Sequence, residues 1–138
     1  SIQLVKEVRV SDDFHSDVSR IEIILQNLFS NAIKYHKSVP GSRVRVAVTA
    51  DRRQARITVE DNGKGIEHQY LDKIFDMFFR AALGTPGSGL GLYITKQVIE
   101  KLGGTISVAS ELGIGTRFSI TIPNRVTETV KEAVSESV

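Results

Sequence analysis

The sequence predicts an α+β fold: a two-layer sandwich in which a mixed, mostly antiparallel sheet of about five strands is covered on one face by three helices. Two observations carry this. Alternating apolar segments occur as two adjacent pairs, "RVRVAVTAD" with "QARITVE" and "TISVAS" with "TRFSITIP", each joined by a short polar turn. Stretches with helical periodicity are interleaved with these pairs, so the helices have one sheet face on which to bury their apolar sides.

Residues Ile2 to Val10 read as an extended opening strand. From Asp17, "DVSRIEIILQNLFSNAIKYHK" places Val18, Ile21, Leu25, Leu28, Phe29 and Ala32 on one stripe, an amphipathic helix that Pro40-Gly41 breaks. Val44, Val46 and Val48 then share one face of a strand, and Ala55, Ile57 and Val59 share one face of the next, with a turn from Asp51 to Gln54. After Asp61 come a loop, a short helix around Glu67 to Phe75, and a glycine-rich segment. A further helix carries Leu90, Ile94, Val98 and Leu102 on its apolar side, and Gly103-Gly104 ends it. The second hairpin turns at Glu111 to Gly115. Past Pro123, Val126, Val130 and Val134 recur every fourth residue, the pattern of a weak helix or of a frayed end.

Composition excludes several classes of function. The chain has 138 residues, 41% of them hydrophobic, which suits one domain with its own core. The net charge of +2 comes from basic residues scattered among acidic ones, so nothing suggests binding to nucleic acid or to an anionic membrane. With no cysteine there is no disulfide framework and no thiolate chemistry, which fits a reducing, cytoplasmic setting. No apolar run is long enough to span a bilayer, and "SIQLVKEVRV" has no signal-peptide pattern.

The chemistry concentrates around glycine. "GTPGSGLGLYITKQVIEKL" puts four glycines into eight residues and then starts a helix. Gly89 and Gly91 fall where the first helical turn leaves N–H groups unpaired, and those groups together with the positive end of the helix dipole attract anions. A Walker A loop would need Gly-Lys-Ser/Thr, and a dinucleotide fingerprint would need G-x-G-x-x-G directly after a strand; "GSGLGL" after "IFDMFFRAAL" is neither. In "VEDNGKGI", Asp61 ends a strand with Gly63 and Gly65 just beyond, so a carboxylate able to accept from an exocyclic amine stands where a flat ring has room. Taken singly, "DNG" is a turn signal. On the first helix Asn27, Asn31 and Lys34 fall within an arc of about 60°, roughly opposite the apolar stripe. Such an arc is ordinarily a solvated face, yet Asn is a poor helix former, and its repeat at i, i+4 suggests that the amides are used.

In order along the chain, "NLFSNAIKY", "DNGKGI", "IFDMFFRA", "GSGLGLYI" and "GIGTRF" resemble the N, G1, F, G2 and final glycine boxes of the catalytic, ATP-binding domain of sensor histidine kinases. These kinases share a superfamily and a Bergerat-type fold with gyrase, the Hsp90 chaperone and the MutL ATPase. The resemblance spans about Val18 to Pro123. It implies that Asn31 is a Mg²⁺ ligand, with Asn27 beside it as a second candidate ligand near the phosphates. It further implies that Lys34 neutralises phosphate charge, that Tyr35 lies along the adenine, and that Asp61 accepts the adenine amine. By the same resemblance Thr116 supports a water at that edge, while Gly63, Gly65 and Ile66 shape the pocket. Gly87, Gly89 and Gly91, with Leu90 and Leu92 among them, match the phosphate cradle. Ala81 to Pro86 match the lid over ATP, and Phe75 and Phe78 match the aromatics that anchor it. Arg80 is the charged F-box position, a candidate for the γ-phosphate during transfer. Asn27, Lys34 and Arg80 are thus the expected catalytic set, and ATP and Mg²⁺ the expected cofactors. Met77 stands where the family often has Pro.

The expected acceptor is an imidazole nitrogen. None of His15, His36 and His68 is followed by an acidic residue as in the family's acceptor motif, so they read as exposed or structural histidines. The expected partners are accordingly the parent chain's own dimerisation and phosphoacceptor helices, preceding Ser1, and indirectly a response-regulator receiver domain. Residues 1–124 are expected to form the catalytic domain and 125–138 a tail. Two rival classes differ in recognisable ways. A superfamily ATPase would carry a Glu as general base at the first N-box position, which here is Asn27. A non-catalytic scaffold relative would show degenerate boxes, and these are intact.

Overall fold

In the computed structural model, which describes residues 2–10, 16–79 and 89–124, strands β1 (Gln3–Val10), β2 (Arg43–Ala50), β3 (Gln54–Asp61), β4 (Thr105–Glu111) and β5 (Gly115–Pro123) form one sheet. The spatial order is β1-β2-β3-β5-β4; β1 runs parallel to β2, and the other three pairings are antiparallel. The turn between β2 and β3 is held by Asp51, whose Oδ1 accepts the N–H groups of Arg53 (2.8 Å) and Gln54 (3.0 Å).

Register aligns the alternating side chains into rows that cross the sheet. On the face that carries the helices, one row reads Val8, Val48, Ile57, Ile120 and Ile106, and the next reads Lys6, Val46, Val59, Phe118 and Val108. The central members of both rows are buried and form the core with helices α1 (Val18–Lys34) and α2 (Gly91–Lys101), which also pack on each other. Burying each such aliphatic side chain stabilises the fold by about 1.5–3 kcal/mol before the ordering entropy is counted. A third row, Leu4, Val44, Asp61, Thr116 and Ser110, turns polar at three adjacent strands.

The helices differ from the sequence pattern in three respects. Along α1 the fully buried positions are Ile24, Leu28 and Ala32, and Ile21, Leu25 and Phe29 flank them, so the stripe is centred on Ile24, a residue the i, i+4 reading from Val18 passes over. Asp17 caps the start by accepting from Arg20 N–H at 3.1 Å, and the helix ends at Lys34 with Tyr35 as its cap, shorter than the pattern to Lys37. Along α2 the buried line is Thr95 and Ile99 leading to Leu102, while Ile94 is 41% exposed. The hydroxyl of Thr95 donates to Gly91 O at 2.8 Å, and that satisfied proton is what lets a polar residue occupy the inward position.

The expected third helix is a single 3₁₀ turn, His68–Tyr70, followed by further turns. Its backbone bonds, Tyr70 N–H to Glu67 O, Lys73 N–H to Tyr70 O and Asp76 N–H to Lys73 O, each span three residues, the tighter spacing of 3₁₀ geometry. Among the described residues the sheet is therefore covered by two helices and this turn segment, and the α+β sandwich is otherwise as predicted.

Candidate functional site

Both helices bring an end to the polar row. The C-terminal cap of α1, Tyr35, accepts the N–H of Lys64 at 2.9 Å, which ties the loop after β3 to the helix end. α2 is joined to β4 by residues 102–104 alone, and Gly104 lies against Thr121 O, so α2 finishes at the far end of the sheet and its first turn lies toward the Asp61 and Thr116 end. One end of the sandwich therefore gathers the last turn of α1, the first turn of α2 and the loops after β3 and β4.

Asp61 is in phase with the buried Ala55, Ile57 and Val59, so its carboxyl points under the helices and not into solvent. Its Oδ1 accepts Gly63 N–H at 2.9 Å. Burial pushes its carboxyl above the ordinary carboxylate range, against the downward pull of the backbone N–H groups of Gly63 and Thr116. Gly63 is the residue that fits beside it: a Cβ there would lie 2.5 Å from Tyr35 O and 2.9 Å from Asp61 Oδ1. Gly65, at φ +74°, passes so close to the β4–β5 turn that a Cβ would lie 2.1 Å from Glu111 O. Ile66, half-buried, packs against the core and donates its N–H to Ser110 Oγ at 2.7 Å.

Across the row, Thr116 is 6% exposed and its hydroxyl lies 2.8 Å from Ser110 Oγ. Ser110 was not legible as a site residue, although its phase in β4, shared with Ile106 and Val108, and its pairing opposite Thr116 were available signals. Asn62 is a second residue that sequence reasoning missed. Its Oδ1 accepts Arg43 N–H and its amide donates to Gly41 O, both at 2.8 Å, locking the start of β2 to the end of β3.

On α1, Asn27 and Asn31 are half-buried and Lys34 is exposed in the last turn, one face leading to Tyr35. Neither asparagine amide has a hydrogen-bond partner among the described residues. The described residues hold no group of three or more carboxylate, histidine or cysteine ligands; a cation here would take an amide oxygen and complete its shell with water and phosphate oxygens. At the start of α2, Leu90 supplies no side-chain cap, and a Cβ on Gly91 would meet open space, which leaves the first-turn N–H groups of Gly91 and Leu92 approachable by an anion.

Backbone strain marks the base of the glycine-rich segment. Phe78 has φ +66° and donates its N–H to Gly89 O at 2.9 Å, and Gly89, at φ +75°, is pressed so close that a Cβ would lie 2.6 Å from Phe78 C. Phe78 and Gly89 are thus held against each other across the sequence between them. Arg80, Gly87 and the lid from Ala81 to Pro86 lie outside the described residues, as do His15 and the tail 125–138. The aromatic anchoring also departs from expectation. Phe75 packs edge-on to Phe118, centroids 6.2 Å apart, with Lys96 Nζ 5.6 Å above its ring, whereas Phe78 is 64% exposed. It is Phe79 that packs inward, 5.7 Å from the ring of Tyr70. The two described histidines have structural partners: His36 Nδ1 lies 2.5 Å from Ile33 O, and His68 Nε2 lies 3.0 Å from Ser110 O and 3.2 Å from Glu111.

An inward carboxylate beside a tight glycine, amides on a helix face and an uncapped helix start thus lie toward one end of the sandwich. Residues 16–126 match the family described as histidine kinase-, DNA gyrase B-, and HSP90-like ATPase. The chain belongs to this family. The sensor protein SrrB of Staphylococcus aureus is 38% identical over 111 residues, covering 78% of this chain and 19% of SrrB, so the chain spans about a fifth of that relative's length. Among solved structures, a mycobacterial sensor histidine kinase, MprB, aligns with a TM-score of 0.70 at 34% identity over 88% of this chain and 82% of that one. Full-length ShkA, solved in complex with AMPPNP, aligns with a TM-score of 0.76 at 29% identity over 89% of this chain and 26% of its own. Within the family, this chain is an ATP-binding catalytic domain of the sensor histidine kinase type. Among the described residues no helix is long and apolar enough to cross a membrane.

Proposed function

We propose that residues 1–124 bind Mg-ATP at the polar end of the sandwich and transfer its γ-phosphoryl group to a histidine on a dimerisation and phosphoacceptor domain outside these 138 residues, from which a response-regulator receiver would take it. The parent protein would work in two-component signalling, with this domain in the cytoplasm and the tail 125–138 appended to it. The observation that carries the reading is Asp61: a carboxylate in phase with the core and desolvated, with Gly63 packed so tightly beside it that a Cβ would lie 2.9 Å from its Oδ1. Such a group accepts a hydrogen bond from the adenine amine and rejects a ring that offers an oxygen there.

The other residues divide the remaining work. Tyr35 and Ile66 flank the ring, and Thr116 supports a water at its edge. Gly87, Gly89 and Gly91, with Leu90 and Leu92, receive the phosphates on backbone N–H groups at the start of α2. Asn31, with Asn27, would hold Mg²⁺ through amide oxygens, and the ion supplies charge neutralisation at the phosphates when bound. Lys34 and Arg80 offset the charge that spreads over the γ-phosphoryl oxygens, and the domain's main task is to hold that group in line with the acceptor nitrogen. As the P–N bond forms, the bond from the γ-phosphorus to the bridging oxygen breaks and ADP leaves. Asn27 cannot take a proton, which favours transfer to histidine over hydrolysis by an activated water.

Calorimetric titration with AMPPNP, with and without Mg²⁺ and against a GTP analogue, tests the site, and mixing the domain with phosphoacceptor helices and labelled ATP tests transfer. Adenine-selective binding strengthened by Mg²⁺ is expected. A folded chain that binds neither analogue would overturn the reading.

A further inference from the structure

The polar row contains a hydroxyl whose proton is already committed. Ser110 Oγ lies 2.8 Å from Gly115 O, 2.8 Å from Thr116 Oγ1 and 2.7 Å from Ile66 N. Gly115 O can only accept and Ile66 N–H can only donate, so the single Ser110 proton goes to Gly115 O. Ser110 then meets Thr116 with a lone pair, and the Thr116 hydroxyl must donate to it. What Thr116 has left to offer is lone pairs. Opposite it on β3 stands Asp61, so the two groups aligned at this end of the row both accept.

We infer that Ser110 is a positioning residue that fixes the Thr116 hydroxyl as an acceptor, so that the base edge of the site takes amino purines over oxo purines through two residues and not through Asp61 alone. This rests on the nucleotide site proposed above. Whatever meets Thr116, a base amine or a bridging water, has to bring the proton. A 6-amino group in direct contact brings that proton, whereas a 6-oxo group in the same place offers only lone pairs and leaves acceptor facing acceptor, the mismatch that polar sites reject most strongly. Freed from Ser110, the Thr116 hydroxyl could rotate and donate, and the second part of the discrimination would vanish.

The test is the ratio of ADP to IDP affinity by calorimetry, with circular dichroism as the check on folding. Ser110→Ala is expected to lower the wild-type ratio by about 5-fold, the equivalent of one ordinary hydrogen bond. Ser110→Cys keeps the side-chain length with a weak thiol donor and should behave alike, whereas Ser110→Thr keeps the hydroxyl and should restore the ratio. In a Thr116→Val background, Ser110→Ala should no longer change it. A merely structural Ser110 would weaken both nucleotides equally, and that result, or an unchanged effect in the Thr116→Val background, overturns the inference while leaving the site intact. Binding of neither nucleotide by the folded wild type removes the site reading itself, and this inference with it.

Discussion

Strand β3 is flanked by two aspartates that make the same local bond and live in opposite environments. Asp51, just before the strand, and Asp61, its last residue, each accept a backbone N–H from two residues further on, at 2.8 and 2.9 Å. At Asp51 the chain turns in solvent; the N–H groups of Gln54 and Arg53 hold its carboxyl below the ordinary range, and it does no more than close a hairpin. Asp61 points into the core face, where burial outweighs the same kind of donor and pushes its carboxyl up. The hydrogen bond that locks a turn in water serves, once desolvated, to fix a carboxyl beneath the helices, where the proposed base would meet it. The local motif is shared, and the phase of the strand decides the use.

The largest expected difference between the two ends is steric. Gly65→Ala combines a left-handed backbone with a Cβ that would lie 2.1 Å from Glu111 O, and should cost about 3–5 kcal/mol. At the other end Arg53→Ala, in the exposed turn, should stay within about 0.5 kcal/mol of the wild type. Denaturant midpoints at constant slope measure both, and similar losses would mean that the crowding after Asp61 is no tighter than the hairpin turn. Next in size is the ligand. Asp61→Ala should weaken AMPPNP binding by about 30-fold, the worth of a charged hydrogen bond, while Asp51→Ala leaves affinity within about 2-fold. If both substitutions weakened binding alike, the effect would be on folding and Asp61 would lose its role at the base.

These expectations also mark what the sequence could disclose. The five strands, both hairpins and the turn at Asp51 follow from alternation, which fixes faces once one strand is placed. Asp61, Gly63 and Thr116 were legible through the order of the motifs, and the fold brings them into contact. The helix faces were less so: Thr95 is buried in α2 while Ile94 is exposed, because a threonine bonded to its own helix backbone counts as apolar for packing and as polar in a pattern. The third helix dissolved into turns since a span from Glu67 to Phe75 is too short for composition to separate α from 3₁₀ geometry. Asn62 acts through a bond to a segment 19 residues away that no local pattern carries, and Ser110 shows its use only when its cross-strand partner Thr116 is read with it.

Asn62 gives a smaller and cleaner test of the boundary between scaffold and site. It lies between Asp61 and Gly63, yet its side chain turns to Arg43 N–H and Gly41 O. Asn62→Ala should therefore cost about 1–2 kcal/mol of stability, from two lost hydrogen bonds, with AMPPNP affinity changed by less than about 3-fold. A loss of affinity as large as that of Asp61→Ala, in a variant of normal stability, would move Asn62 into the site.

The smallest effect, and the one most specific to the contrast, is in pH. For Asp61 the native carboxyl titrates above the unfolded value of 3.8, so the native state holds its proton more tightly than the unfolded chain; the stability this confers is present below 3.8 and is lost as pH rises through the raised native value. For Asp51 the native value lies below 3.8, so its contribution is present above 3.8 and is lost as pH falls through the depressed one. Asn removes the titration in each place. Asp61→Asn should hold or raise Tm at neutral pH and lose that advantage in acid, while Asp51→Asn should lower Tm slightly at neutral pH and converge on the wild type in acid. The two difference curves, measured as Tm against pH in low salt, should therefore have opposite signs at neutral pH and meet near zero in acid. Curves of one sign would mean that both carboxylates are solvated alike, and the inward phase of Asp61 would then have no electrostatic consequence for the fold.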